Sequence, residues 1–388
     1  MGEGTDLLRE LLPLIDRYVR ENSDSRVPVV DYADAASLRE RLDLSLSTEG
    51  VPPGDLLGPI ESYLRYGVRT GHRQFFNQLY GGFYPAGFLG DVVAALTNTS
   101  MYTYEVAPVA TLMELALIDR MNSCLGFSGG EGIFCSGGSN ANTIGVLCAR
   151  DRAFPSARAR GWSGEERPAL FVSREAHYSF LHAANQLGIG IDNVVAVETD
   201  PRGRMLPEAL ERGIASSVEA GRKPFLVAAT AGTTVLGAFD PLPEIAGICR
   251  REGLWLHVDG AWGGPLILSK RHRKLLSGVE AADSFTWDAH KLMGASLTCS
   301  AFLTRHAGLL RRTCSLSGDE TEYLYHETED SARDLGRRSF QCGRRVDALK
   351  LWLMWKRNGD EGFARAIDRL FELARTAAER IERHPRLE

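Results

Sequence analysis

The 388-residue sequence predicts an α/β protein with a mostly parallel central sheet and flanking helices. Three observations lead there. From residue 132 onward, short apolar runs of strand length alternate with stretches of helical periodicity, the pattern of a parallel sheet covered by helices. The apolar and charged fractions, 44% and 24%, are those of an ordinary globular chain. The length is enough for a large core and for more than one domain.

Ahead of that alternation the chain reads as a helical arm. Leu8, Leu11, Leu12, Ile15 and Val19 recur at helical spacing between Leu7 and Val19. Pro52-Pro53-Gly54 marks a turn-rich interval, and a second helical pattern runs from Leu56 to Tyr66. An extended arm needs a surface to pack on, which points to an oligomer. The stretch from Gln74 to Gly82 is aromatic and amide-rich without a period. It reads either as a buried loop whose amides satisfy backbone groups, or as a pocket wall that presents Gln78 and Tyr80 to a polar ligand. Between Asn98 and Met121 turn and helix signals alternate, with Pro108 placed at a helix start.

Strands are then expected at 169–172, 194–197, 225–228, 254–258, 284–287 and 300–303, with helices at 140–153, 179–187, 207–220 and 242–251. From Arg344 to Arg383 the pattern is two helices broken at Asn358-Gly359. The predicted organisation is an N-terminal arm and substrate-site segment over 1–100, a large α/β domain over 101–340, and the start of a C-terminal region over 341–388.

Charge and cysteine usage exclude several classes. A net charge of -5 gives no case for nucleic-acid binding, and the cluster Lys270-Arg271-His272-Arg273-Lys274 reads as a solvated loop or helix end. Seven cysteines, scattered and never in a CxxC pair, argue against a disulfide framework or a zinc site and for a reducing compartment. The first residues carry acidic groups where a secretory signal needs basic ones, and no apolar run approaches the ~20 residues of a membrane span. The expected location is the cytoplasm, without a membrane partner.

The residues that carry chemistry fall where the strand runs end. Ser284 to Lys291 closes an apolar run with a lysine, a residue able to form a Schiff base with an aldehyde. His257-Val258-Asp259-Gly260-Ala261 ends a buried run with a carboxylate that should meet a cation, and a protonated pyridine nitrogen would serve. Gly137-Gly138-Ser139 opens a helix after a strand-like run, where backbone amides and a hydroxyl can hold a phosphate. His177 follows another run and offers a flat imidazole, and Thr233-Thr234 offers hydroxyls at a fourth. Each has a structural reading when taken alone: a solvated lysine, a turn or helix cap, a packed histidine. Together they sit at the strand ends where an α/β sheet gathers its ligands, and they match the parts of pyridoxal phosphate.

Several strings also resemble a family. Phe76-Asn77-Gln78-Leu79, Tyr102 to Pro108, Thr230 to Pro241, Leu254 to Gly264 and Gln341 to Asp347 look like the group II pyridoxal-phosphate-dependent decarboxylases, nearest the glutamate, cysteine-sulfinate and aspartate branch. The resemblance implies the transferase-like fold type I, a homodimer with active sites at the subunit interface, and decarboxylation of a small acidic L-amino acid. It assigns Lys291 to the internal aldimine, Asp259 to the pyridinium nitrogen, and Ala261 and His177 to the two ring faces. It further implies that Thr234 lies beside the cofactor, that His290 is the cofactor-site histidine preceding the lysine, that Gly137, Gly138 and Ser139 form the phosphate turn, and that Gln78 lines the substrate site.

Three departures accompany it. The family's mobile loop carries a tyrosine, whereas His326 to Gly336 here has none, and Tyr323 and Tyr325 lie upstream. Asp288 stands where the family usually has asparagine, which puts an acceptor near the phosphate. The chain also stops where the family's small C-terminal domain begins, so that domain is expected to be truncated or missing. The leading expectation is decarboxylation through Lys291. The alternatives are a β-eliminating lyase or oxidative deaminase on the same scaffold, and a cofactor-binding protein without catalysis.

Overall fold

The structure, a computed structural model, describes residues 2–315, 324–326 and 328–387. It divides into two compact units, Met1–Phe83 and Tyr84–Glu388.

In the first unit the predicted arm forms helices Gly2–Glu21, Ala35–Arg41 and Leu57–Tyr66. Asp34 caps the second by accepting the Ser37 backbone N–H at 2.9 Å. Arg69 is buried, pairs with Glu21 at 2.7 Å and lies over the Tyr18 ring at 4.4 Å, which ties the end of the first helix to the chain beyond the third. Leu8 and Leu12 of the apolar stripe remain exposed.

The second unit is built on a seven-stranded sheet. Its strands are β1 (Glu131–Cys135), β2 (Pro168–Ser173), β3 (Val194–Val197), β4 (Lys223–Thr230), β5 (Trp255–Asp259), β6 (Ser284–Asp288) and β7 (Ser300–Thr304). They lie in the order β1-β7-β6-β5-β4-β2-β3. Only β7 runs antiparallel, to both β1 and β6; the pairs β6–β5, β5–β4, β4–β2 and β2–β3 are parallel. This is the mostly parallel sheet that the alternating pattern predicts.

Strand residues alternate between two apolar layers because successive side chains leave opposite faces. Leu226, Ala228 and Phe302 join a cluster with residues of helices Gly138–Ala153 and Ser179–Gln186. Val227, Ala229, Phe285 and Trp287 join another with residues of Pro108–Leu125, Pro207–Glu219, Leu242–Glu252 and Asp347–Glu382. The last helix loses helical geometry at Gly359 (φ 57°, ψ -178°), so it is two helices joined at the predicted break.

The boundary falls at Phe83/Tyr84, ahead of residue 100. Helix Pro85–Thr97, to which the sequence pattern gave no element, belongs to the second unit because it is bonded to the C-terminal helix. Tyr84 donates to Asn358 Oδ1 at 2.7 Å, and the buried ammonium of Lys350 reaches Asp91 at 3.2 Å and Asp347 at 3.0 Å. Residues 341–387 are therefore part of the same unit as the sheet. Among the described residues no helix is long and apolar enough to cross a membrane.

Candidate active site

Chain segments that leave β1, β2, β4, β5 and β6 at their carboxyl ends converge on one cavity of about 200 Å³. Its wall includes Gly138, Ser139, His177, Thr234, Asp259, Ala261, Asp288, His290 and Lys291, nine of the ten residues that the sequence singles out for a cofactor. The tenth, Gly137, is the residue on which the Gly138–Ala153 helix starts. Gln78 and Tyr80 belong to the first unit; Gln78 is exposed, and the Tyr80 ring packs 6.3 Å from that of Phe75.

The turn after β1 is anchored from below by a buried ion pair. Arg344 donates to Glu114 Oε2 at 3.0 Å and to the Phe134 carbonyl at 3.0 Å, while Glu114 Oε1 accepts the Phe134 N–H at 3.0 Å. Both side chains are almost wholly enclosed, so neither charge is solvated and each depends on the other. Three residues beyond Phe134, Gly137 adopts φ 148° and Gly138 opens the helix. A Cβ on Gly138 would stand 2.6 Å from Asp288 Oδ2, so only glycine lets the helix start this close to the end of β6.

Asp259 ends β5 opposite Thr230 of β4 and Thr286 of β6. Its carboxylate accepts the Ala261 N–H on Oδ1 at 3.0 Å and the Asn142 amide on Oδ2 at 2.8 Å. Lys291 leaves the end of β6, with Nζ 3.2 Å from Asp288 Oδ2. His290 Nε2 lies 3.7 Å from the same oxygen, and its Nδ1 is within 3.2 Å of the Cys299 backbone. Burial holds the pKa of both His290 and His177 below the usual imidazole range, so both rings are neutral near pH 7. His177 Nδ1 accepts the Ser179 N–H at 3.2 Å, which places the ring proton on Nε2.

Thr234 is exposed at the mouth of the cavity, whereas the Thr233 hydroxyl is used inside its own loop, accepting the Ala238 N–H at 3.0 Å. That loop is clamped by Asp240, which accepts the Met205 and Thr230 N–H groups, each at 2.7 Å. Tyr325 lines a different cleft with Arg337 and Cys342, and the Arg337 guanidinium lies 4.4 Å over its ring. Tyr323 and Glu327 lie outside the described residues.

Four wall residues were given no role by the sequence pattern: Asn142, Thr230, Gly232 and Trp262. Asn142 stands four residues after Gly138, one helical turn on, which is the signal that could have found it.

The wall fits pyridoxal phosphate on three counts. Thr230 Oγ1 and Asp288 Oδ1 are buried polar atoms without a hydrogen-bond partner among the described residues, as the lining of a polar ligand's site would be. A helix N-terminus and the Ser139 side chain face the cavity, suited to a phosphate. A primary amine and a carboxylate stand in the same wall, suited to an aldehyde and a protonated ring nitrogen.

The chain is similar to known proteins along most of its length. Residues 36–388 match the family model described as the pyridoxal-dependent decarboxylase conserved domain. The chain is similar to cysteine sulfinic acid decarboxylase of Homo sapiens, with 45% identity over 372 residues that cover 95% of this chain and 75% of that protein. It is 42% identical to acidic amino acid decarboxylase GADL1 of Bos taurus, covering 95% of this chain and 71% of that one. The crystal structure of mouse CSAD superposes with a TM-score of 0.95 at 42% identity, over 98% of this chain and 79% of that chain.

Proposed function

We propose that this chain, which belongs to the pyridoxal-dependent decarboxylase family, removes the α-carboxylate of a small acidic L-amino acid as carbon dioxide and leaves the amine. It is a carboxy-lyase, and its cofactor is pyridoxal 5'-phosphate. The substrate class is our reading. The observation that carries it is the resemblance, above 40% identity across nearly the whole chain, to two decarboxylases named for acidic substrates.

When bound, the cofactor supplies an electron sink for the bonding pair that carbon dioxide leaves behind. The residues provide everything else. Lys291 would offer the amine that holds the aldehyde carbon, from the turn at the end of β6. Asp259, bonded by Ala261 and Asn142, has remaining lone pairs to accept the ring N–H. His177, neutral at working pH, sets an uncharged imidazole in the wall and carries its proton on Nε2. Gly138 and Ser139 would hold the phosphate with helix N-terminal groups. Ala261 and Trp262 add apolar surface that excludes water from the reacting centre.

Gln78 is assigned to the substrate on its match to the family pattern, and Tyr80 on the reading of the same aromatic, amide-rich stretch as a pocket wall. A homodimer with the site at its interface is part of the same reading. Leu89, Val92, Val93 and Leu96 are exposed along helix Pro85–Thr97, and Val109 and Leu112 along the next, an apolar face of the kind a second copy covers. The cytoplasm is the compartment assigned, on the unpaired cysteines.

The test is a substrate panel. The cofactor-loaded protein is incubated with L-cysteine sulfinate, L-aspartate, L-glutamate and an aromatic amino acid, and carbon dioxide, amine and ammonia are measured. Carbon dioxide equimolar with amine from an acidic member is expected. Ammonia with a keto acid, or turnover of the aromatic substrate alone, contradicts the proposal.

A further inference from the structure

Behind Asp259 lies a chain of buried side chains whose hydrogen bonds all run one way. Asn142, 1% exposed, makes four contacts. Its Nδ2 lies 2.8 Å from Asp259 Oδ2 and 2.9 Å from Ser179 Oγ, and its Oδ1 lies 2.7 Å from Thr286 Oγ1 and 3.0 Å from His257 Nε2. A carboxylate cannot donate, so the amide nitrogen must face Asp259 and the amide oxygen must face the other two. His257 then donates from Nε2. Its Nδ1 accepts from Ser284 Oγ at 2.8 Å, and Ser284 Oγ accepts from Trp255 Nε1 at 2.8 Å.

Every donor and acceptor on this path is used, and each fixes the next. His257 is fully enclosed, and burial pushes its pKa down to about 4, so the imidazole stays neutral and keeps a single tautomer. The helix is shaped to reach it: a Cβ on Gly145 would stand 2.6 Å from His257 Nδ1. Phe302 stacks on the ring and Phe180 meets it edge-on.

We propose that Asn142, oriented by His257, is a positioning residue for Asp259. The one-way chain from Trp255 to Asp259 holds the carboxylate in the rotamer that faces the cofactor's ring nitrogen, and so selects the ring-protonated form of the bound cofactor. Neither residue touches the reacting atoms. This rests on the reading above that Asp259 is the partner of that nitrogen.

The test reads the nitrogen directly. Protein is loaded with cofactor labelled with ¹⁵N at the ring, and the ¹⁵N chemical shift is measured for the wild type, Asn142→Leu and Thr286→Val. The wild type should show the protonated position. Asn142→Leu should move toward the unprotonated position and lose about 10- to 100-fold in kcat, the range for one hydrogen bond to a charged group. Thr286→Val keeps the side-chain shape and removes one donor to Asn142, so its shift should move the same way by less. If Asn142→Leu does not fold, Thr286→Val decides. An unmoved shift in every variant that folds, against a protonated wild type, overturns the inference. An unprotonated wild type overturns the reading of Asp259 itself.

Discussion

Lys291 Nζ and Asp288 Oδ2 lie 3.2 Å apart at the end of β6, and the same carboxylate faces Gly138, the glycine that starts helix Gly138–Ala153. One buried anion therefore links the amine to the glycine turn, and its second oxygen has no hydrogen-bond partner among the described residues.

A carboxylate beside a phosphate repels it, whereas an amide of the same shape can donate. Asp288→Asn is expected to bind pyridoxal phosphate more tightly by at least about tenfold, roughly 1.4 kcal/mol, which is less than the ~4 kcal/mol of a single unscreened charge–charge contact at an effective dielectric of about 20. Titration of the apoprotein followed by absorbance measures it. Weaker binding in the variant would show that Asp288 serves the site as counter-ion to Lys291.

Gly138→Ala separates the site from the fold. Alanine favours a helix by about 1 kcal/mol over glycine, so the apoprotein should not lose stability on that account. The new methyl group would stand 2.6 Å from Asp288 Oδ2, so the turn or the carboxylate must move. Cofactor affinity is expected to fall at least about tenfold, a cost of roughly 1.4 kcal/mol or more. An unchanged affinity would exclude Gly138 from the phosphate site.

His257 predicts a pH dependence of stability. Its pKa is about 4 folded, against an ordinary value of 6.5. Between those values the unfolded chain binds a proton that the folded chain does not, so stability rises with pH and is lost as pH falls from 6.5 toward 4. The loss should be on the order of 3 kcal/mol. Urea unfolding of the wild type and of His257→Gln across that range checks it, because the acid-side losses of His177 and His290 are common to both proteins. Parallel curves for the two proteins would contradict the assignment.

Arg344→Met leaves the Glu114 carboxylate buried without its partner. Removing one member of such a pair costs about 3–5 kcal/mol, read as a drop in the unfolding midpoint. Arg344→Met combined with Glu114→Leu should recover part of that loss, since no lone charge remains. A double variant worse than the single one would contradict this account of the turn's support.

Much of this was legible in the sequence because it is local. β2, β4, β5 and β6 are short apolar runs, and Asp259 and Lys291 stand where those runs stop. The resemblance then tied the strand ends to one cofactor. The spacing from Gly138 could have placed Asn142 on the cavity side of its helix, but its pairing with Asp259, 117 residues away, leaves no local mark in the sequence. Helix Pro85–Thr97 was missed for a related reason. It is apolar nearly all round, so it lacks the amphipathic period that reveals a surface helix.

The central claim is that Lys291 carries the cofactor, and reductive trapping tests it most directly. The loaded protein is treated with borohydride, which fixes a lysine Schiff base as a stable amine, then digested and mapped by mass spectrometry. The account predicts a phosphopyridoxyl group on the peptide that contains Lys291, and none on Lys291→Ala. Label on another lysine, or equal label on the variant, would contradict it.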